Sequence, residues 1–186
     1  MNIFVLSRDP ADAARYHCNK HVVKMILESA QMMCAAHWSH LLKQNQKSLS
    51  DFKRVRDAQN WLFENTPKEL QPPWKLSHTR HPCTLWTGEN FSNYMWHSKL
   101  GESLLFEYTR RYDRHHKSEV VHEWLRENIP IDISNEPLTD FAVCMPDECK
   151  IPGDPVSSYR KYYKLYKNKI AKWEPRSKTP EWFKNE

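Results

Sequence analysis

The chain has 186 residues, which is enough for one hydrophobic core and too short for two comfortable ones. Only three glycines occur, so neither a glycine-rich phosphate loop nor a dinucleotide-binding fingerprint can be built, and Rossmann and P-loop functions are excluded. The same scarcity of glycine predicts no nucleotide cofactor. No apolar run approaches the roughly 18 residues of a membrane span, so we expect no membrane partner.

The net charge of +5 is concentrated near the C-terminus, where residues 157–186 contain nine Lys or Arg against three Glu. Such a basic segment on a near-neutral body favours a polyanionic partner. Eight tryptophans and eight tyrosines interleaved with basic residues favour nucleic acid, because bases stack on aromatic rings. The five cysteines, odd in number and irregularly spaced, indicate a reducing compartment, so we expect a cytoplasmic location.

The N-terminal third predicts an anchored segment followed by helix. Residues 1–6 begin with a short apolar run, which we interpret as a short buried strand or an anchored segment. Asp9-Pro10 is typical of a helix start, because Asp caps free N–H groups and proline suits the first helical position. A helical pattern then runs from about Ala11 to Leu42, with an interruption near Asn19 left open. Its predicted buried stripe is Val22, Met25, Ile26, Ser29, Ala30 and Met33.

The middle of the chain predicts two further helices. Ser50 is expected to cap one that reaches Phe63 or Glu64, before an extended linker at Pro67–Pro73. A long helix is expected over Glu89–Tyr112. Its predicted inward side chains are Phe91, Met95, Leu105 and Tyr108.

The C-terminal part predicts a shorter helix at Ser118–Glu127, a proline-containing loop at Ile129–Pro155 and a last helix from Asp154-Pro155 to about Trp173. The predicted buried seam of that helix is Val156, Tyr159, Tyr163, Tyr166, Ile170 and Trp173. We therefore predict an all-α, single-domain helical bundle over residues 1–186 with long proline-containing loops. Residues 157–186 would form a basic helix and tail packed on it.

One polar stripe on the first long helix could be either a solvated face or part of a catalytic site. His17, His21, Lys24, Glu28 and Gln31 lie three or four residues apart, nearly opposite the apolar stripe. The simplest interpretation is a solvated helix face. However, solvated faces are usually dominated by Lys, Glu and Arg, and a glutamate framed by His21, Lys20 and Lys24 suits acid/base or electrostatic chemistry.

A metal site competes for the same residues. His17 and His21 have the spacing of a zinc-binding pair, and His81 with Cys83 could add ligands. A Cys-x-x-Cys pair is absent, and helical histidine pairs arise by chance in a chain with ten histidines. We therefore expect no metal.

Three other features suit DNA contact. Ser77–Trp86 offers Arg80, His81 and Thr84 just ahead of a helix, which suits a phosphate, although a capped tight turn explains the same residues. The last helix carries a basic row that could follow a phosphate backbone or serve solubility alone. That row includes Arg160, Lys164 and Lys167. Near the C-terminus, Trp182 could stack on a base or pack back on the core.

Three motifs, in this order along the chain, resemble the phage pyrimidine-dimer DNA glycosylases of the endonuclease V family. The first is Asn19-Lys20-His21 with Glu28 seven positions after the histidine. The second is Arg80-His81-Pro82-Cys83-Thr84-Leu85-Trp86 at the entry to a long helix. The third is Pro180-Glu181-Trp182-Phe183-Lys184.

The resemblance implies a small, mostly helical, cofactor-free enzyme that binds duplex DNA in a host cytoplasm. Such enzymes flip a nucleotide and attack the sugar C1′ with their N-terminal α-amine, while a glutamate stabilises the sugar cation and β-elimination then nicks the strand. By this reasoning the catalytic residues are Met1, His21 and Glu28. The predicted DNA-binding residues are His17, Lys20, Lys24, Arg80, His81, Thr84, Arg160, Lys164, Lys167 and Trp182.

The sequence departs from the family pattern in ways that leave alternatives open. Asn2 is a poor context for methionine removal, so the amine is expected to stay on Met1, and the chain is longer by a loop at Ile129–Pro155. A DNA base-modifying enzyme and a non-enzymatic nucleic-acid-binding or phage–host interaction protein are the alternatives. The glycosylase interpretation predicts Glu28 within a few ångströms of the N-terminal amine, across a groove lined also by His21 and Arg80.

Overall fold

The computed structural model of the protein describes residues 1–184, in which the regular structure is helical and no strand forms. This confirms the predicted all-α class. The α-helices, in chain order, are α1 (Pro10–Tyr16), α2 (Asn19–Gln44), α3 (Val55–Asn65), α4 (Pro82–Thr87), α5 (Phe91–Tyr112), α6 (Glu119–Glu127), α7 (Pro155–Tyr162) and α8 (Glu181–Lys184). Three short 3₁₀ turns lie at Leu49–Asp51, Lys68–Leu70 and Asp147–Cys149. None of these helices has both the length and the apolar character that a membrane span requires.

The first predicted helix is broken into two, at the place where the sequence left an interruption open. Helix α1 begins where Asp9 accepts the N–H of Asp12 at 2.8 Å, with Pro10 in the first turn, as predicted. It ends at Tyr16, and α2 begins at Asn19. The segment before α1 is anchored and buried but is not a strand.

Helix α2 is the central element and packs against α4, α5 and α6. The whole predicted apolar stripe of α2 is buried, which confirms it. The interpretation of the opposite polar stripe as a solvated face is wrong at three positions, because His17, His21 and Glu28 are all buried. The N-terminal segment and the chain after α7 cover that face.

The inward face of α5 differs from the prediction by about one residue. Phe91, Met95, Leu105 and Tyr108 are only partly buried, whereas the buried row is Tyr94, His97, Leu100, Leu104, Glu107 and Arg111. A pattern based on apolar residues alone misses this row because half of it is polar. These polar side chains can be buried since each finds a partner inside the protein.

The predicted last helix is too long. Helix α7 gives way to a π-helical turn at Tyr163–Lys167, and Tyr166 is exposed rather than part of a buried seam. The chain leaves the helical path because its later backbone binds α2. The carbonyl of Lys172 accepts the N–H of Asn19 at 2.8 Å, and that of Trp173 accepts the Asn19 side-chain amide at 2.8 Å. The C-terminal segment is thereby held on the body.

Two further boundaries were wrong. Ser48 rather than Ser50 caps the 3₁₀ turn Leu49–Asp51, and α3 begins only at Val55. The predicted linker contains the 3₁₀ turn Lys68–Leu70. Helix α6 begins at Glu119, with Ser118 as its N-cap residue, one residue after the predicted start. Ile129–Pro155 is mostly loop, as predicted.

Gly101 tests the packing of α5 on α6. A Cβ at this position would lie 2.4 Å from Cε1 of His122, whose Nε2 donates to the Ile26 carbonyl at 2.9 Å. Glycine to alanine inside a helix normally stabilises by about 1 kcal/mol. Here we expect Gly101→Ala to lower the free energy of unfolding by about 1–3 kcal/mol, because the imidazole must move and lose its hydrogen bond. Urea unfolding measures this.

The matched control is the same substitution in a His122→Ala background, where the clashing ring is gone. Gly101→Ala should then be neutral or stabilising. A loss of equal size in both backgrounds would show that the imidazole does not set the cost.

His97 gives the fold a defined sensitivity to acid. The Thr87 hydroxyl donates to the Cys83 carbonyl at 2.7 Å, so its oxygen accepts the N–H of His97 Nδ1 at 2.7 Å. The other ring nitrogen is buried and has no hydrogen-bond partner among the described residues. Burial, helped by the neighbouring charge of His122, therefore lowers the pKa of His97 from 6.5 to about 3.

We expect the free energy of unfolding to fall as the pH drops below the pKa of an unfolded histidine. Between about pH 6.5 and 3 the unfolded chain binds a proton at position 97 that the folded chain excludes. Acidification from pH 6.5 to 5 should cost about 2 kcal/mol through this residue. His97→Asn keeps a donor for Thr87 and cannot be protonated, so its stability should depend less steeply on pH.

The control for this measurement is His115→Asn, since His115 is exposed. Its urea-unfolding profile between pH 5 and 7 should follow that of the wild type. Equal slopes in the His97→Asn variant and the wild type would contradict the assignment.

Candidate active site at the N-terminus

A tight turn brings the N-terminus back onto α2. The Asn2 side-chain oxygen accepts the N–H of Ile3 at 2.9 Å, and its amide donates to the Cys144 carbonyl at 2.7 Å. Phe4 then takes a left-handed conformation with φ of 39° and stacks on His21, with ring centroids 4.4 Å apart. A non-glycine residue adopts this backbone conformation only when its surroundings impose it, so the packing and hydrogen bonds around Phe4 hold the turn in place.

The turn places the α-amino group of Met1 beside Glu28. The amine nitrogen lies 3.7 Å from Glu28 Oε2, and Lys24 Nζ lies 2.9 Å from Glu28 Oε1. The Glu28 side chain is 9 % exposed, so this carboxylate is nearly buried between two cations. The expected proximity of amine and glutamate is thus present in the structure.

His81, rather than the expected Arg80, lies next to the N-terminal amine. It is the N-cap residue of α4 and accepts the Cys83 N–H at 3.2 Å. Burial first, and then the charge of the amino terminus, lower the pKa of His81, whereas a hydrogen bond with the Met1 backbone raises it. Arg80 itself is exposed. The residue next to the amine is therefore His81.

His21 supports the turn instead of facing a groove. Its Nδ1 is hydrogen-bonded to the Tyr163 hydroxyl, and Phe4 covers its ring. Burial, together with the charges of His17, Lys167 and Lys24, lowers the pKa of His21 to about 3. The ring is neutral near pH 7 and buried beneath Phe4, so the structure corrects the expectation that it lines the groove.

Two cysteines complete the neighbourhood of the N-terminus. The Cys83 thiol donates to Cys144 Sγ at 3.4 Å, and it lies 4.0 Å from the Asn2 side-chain oxygen. This hydrogen bond lowers the pKa of Cys144 and raises that of Cys83, whose burial acts in the same direction. Cys144 belongs to the long loop, so its arrival here could not be read from the spacing of the cysteines.

A basic groove of about 520 Å³ opens beside His81. Basic side chains from two parts of the chain face it, including Lys53 and Arg54 before α3 and His78 and Arg80 before α4. The part around Arg80 was expected from the sequence. Lys53 and Arg54 were missed, because nothing in their spacing indicates that they meet the segment before α4.

Two predicted DNA-binding residues on the helices are not on the surface. His17 is fully buried and its Nδ1 donates to the Ala13 carbonyl at 2.7 Å. Thr84 is 2 % exposed. Neither can contact DNA in this fold, which corrects the prediction. Lys20 and Lys24 are exposed, and Lys24 is engaged with Glu28.

The predicted DNA-binding residues near the C-terminus mostly contact other residues of the protein. Arg160 donates to the Leu6 carbonyl at 3.1 Å and lies over the ring of Trp182, 5.4 Å from its centroid. Lys167 lies over the Tyr162 ring at 4.8 Å, and Lys164 is half-buried. Trp182 packs on the core, which is the commoner of its two expected arrangements.

Comparison with known proteins assigns no family to this chain. No family model, curated protein or solved structure matches it. The resemblance to the pyrimidine-dimer glycosylases therefore rests on the three sequence motifs. The chemistry that the site can support must be argued from its own geometry, in which a primary amine, a carboxylate and an imidazole meet beside a cationic groove.

Proposed function

We propose that the protein is a DNA glycosylase with AP-lyase activity that acts on damaged or altered pyrimidines. The contact between the Met1 amine and Glu28 Oε2, at 3.7 Å, is the observation that carries this proposal. A nucleophile and its acid/base partner must flank the same sugar carbon, and these two groups are close enough to do so.

The chemistry assigned to these groups is an attack at the sugar. The amine forms a bond to C1′ while the C1′–N bond breaks, and the base leaves with that electron pair and takes up a proton. Glu28 accepts a proton from the attacking amine, and its charge stabilises the positive charge on the sugar. The nitrogen lone pair then expels the ring oxygen O4′, which takes up a proton as the C1′–O4′ bond breaks, and the adduct becomes an imine. The imine makes the C2′ proton acidic, so its removal expels the 3′-phosphate, and water then releases the enzyme.

The surroundings support these roles. An α-amino group loses its proton more readily than a lysine side chain, so more of it is nucleophilic at neutral pH. Lys24 Nζ holds the Glu28 carboxylate through Oε1, at 2.9 Å, and leaves Oε2 to the amine. Met1 has a side chain only 5 % exposed, so productive binding requires this residue to move aside.

The groove between the segments before α3 and α4 is the proposed path of the DNA backbone. Its basic side chains lie next to His81, which contacts the Met1 backbone, so a strand held there runs past the amine. Phosphate contacts of this kind position a duplex without reading its sequence. The surface of α7 and the following π-helical turn is the competing path.

Borohydride trapping tests the reaction. Borohydride reduces the imine to a stable amine, so the full chain should become covalently attached to a duplex carrying one abasic site or one thymine dimer. Glu28→Gln keeps the size of the side chain and removes its charge, so strand cleavage should fall by about 10²–10⁴-fold while binding persists. Glu102→Gln, which removes a carboxylate paired with Arg126 elsewhere, should retain cleavage.

A second arm of the same experiment identifies the nucleophile. One extra residue at the N-terminus should abolish trapping, and the same residue added at the C-terminus should not. A trapped peptide that contains a lysine adduct rather than Met1, or equal cleavage by the Glu28→Gln variant, would contradict the mechanism. Binding without any cleavage would favour the alternative of a DNA-binding protein.

The salt dependence of binding tests the groove. Each phosphate neutralised contributes roughly −0.9 to the slope of log affinity against log salt. Replacing Lys53 and Arg80 by Ala should therefore weaken binding and flatten this slope by about two. Replacing Lys164 and Lys167 by Ala should change the slope less. The opposite ranking of the two double variants would move the backbone path to the C-terminal surface.

A further inference from the structure

We propose that His81, Cys83 and Cys144 form a binding site for a soft divalent cation, with Zn²⁺ as the ion that fits best. The proposal does not rest on the glycosylase function. Their ligand atoms all lie within 4.8 Å of one another, and no other group of His, Cys, Asp and Glu within residues 1–184 is this compact. One imidazole and two thiols are the ligand types that zinc prefers.

The spacing of the sulfur atoms suits tetrahedral zinc. Zn–S bonds of about 2.3 Å place two sulfurs about 3.8 Å apart in a tetrahedral site. Cys83 Sγ and Cys144 Sγ are 3.4 Å apart, so a movement of a few tenths of an ångström opens the site to this value. The ion would displace both thiol protons to solvent, including the one that Cys83 now donates to Cys144.

The backbone around the cluster is held in place without a metal. Cys83 lies in the first turn of α4, where His81 caps the helix. The Cys144 carbonyl accepts the Asn2 amide at 2.7 Å, and the neighbouring Ala142 carbonyl accepts the Tyr159 hydroxyl at 2.6 Å. Such outer contacts orient metal ligands and reduce the cost of bringing them together.

Charge and exposure favour the same ion and leave one position open. Two thiolates and one neutral imidazole around Zn²⁺ give a neutral site, so the nearby amino terminus does not oppose it. His81 and Cys144 are each partly exposed, whereas Cys83 is buried, so an ion can reach the cluster from the surface, and a water molecule would complete a four-coordinate site. Three protein ligands with one open position are typical of reactive rather than purely structural zinc sites.

This site differs from the one that the sequence suggested and from the expectation of no metal. Within residues 1–184, neither His17 nor His21 belongs to a group of three or more ligand atoms as compact as this one. His81 and Cys83 were noted as possible ligands, but their partner Cys144 is 61 residues further along the chain. Only the return of the long loop to the N-terminus brings it in.

Cobalt binding to the reduced, metal-free full-length chain tests the proposal. Co²⁺ should bind with one ion per chain and produce the near-ultraviolet thiolate-to-cobalt charge-transfer absorption, which Zn²⁺ should remove by displacement. Cys83→Ser and Cys144→Ser should each lose most of this band, and His81→Asn, which retains a helix cap, should weaken it. Cys149→Ser, in the same loop and outside the cluster, should keep it.

Thermal unfolding provides a readout that does not depend on the spectrum. Zn²⁺ should raise the melting temperature of the wild type and of Cys149→Ser, because binding to the native state adds to its stability. It should leave that of Cys144→Ser unchanged, with circular dichroism showing that this variant is folded.

Three outcomes would overturn the proposal. The first is no cobalt band in the fully reduced wild type. The second is a band that persists in the Cys83→Ser/Cys144→Ser double variant. The third is a protein that is purified two hydrogens lighter, as a Cys83–Cys144 disulfide, and that binds no cobalt after reduction. This last result would assign the pair to thiol oxidation.

Discussion

A buried arginine holds the break between the first two helices, and the site depends on that break. The Arg111 side chain is fully buried and donates to the carbonyls of Arg15 and His17, at 2.9 and 2.8 Å, and to Glu107 at 2.8 Å. Carbonyls at a helix end have no partner within the helix, and a buried charge without partners costs several kcal/mol. Burial alone would raise the pKa of Glu107, but hydrogen bonds and charges from Arg110 and Arg111 together lower it, so the pair stays ionised.

The direction that the break gives α2 determines where the N-terminus can lie. Because α2 starts afresh at Asn19, the first turn of α2 presents His21 towards Phe4 rather than towards solvent. Phe4 also lies edge-on to Tyr163, whose hydroxyl is bonded to His21. These packed rings hold the N-terminal turn against α2, and the amine then lies beside Glu28, two helical turns after His21. Polar residues that the sequence shows as one stripe have two separate tasks, because His21 supports the turn and Glu28 faces the amine.

The sequence predicts well where apolar periodicity and capping act locally, and poorly where polar side chains are buried. The α2 stripe and the Asp9-Pro10 helix start follow from residues a few positions apart, and both are present. The inward face of α5 was misplaced because His97 and Arg111 are polar and yet buried, with hydrogen-bond partners outside α5. Glu28 was singled out because its stripe carries two histidines and a glutamine, which are unusual on a solvated helix face, and because it follows His21 at the interval of the resembled family. Cys144 and Lys53 were missed because only tertiary structure brings them to the N-terminus.

The long loop, which looks like an insertion when compared with the resembled family, helps to hold the N-terminal turn in place. Phe141 packs against Trp86 and Trp96, with ring centroids 5.2 and 4.7 Å away, and so anchors the middle of the loop on α4 and α5. Three residues later the Cys144 carbonyl takes the side chain of Asn2. Asn2 therefore links the loop to the N-terminal turn, and a single peptide bond joins Asn2 to Met1, which carries the amine. A shift in the loop must move the amine relative to Glu28, so the position of the proposed nucleophile depends on a segment 142 residues away as well as on the N-terminal sequence.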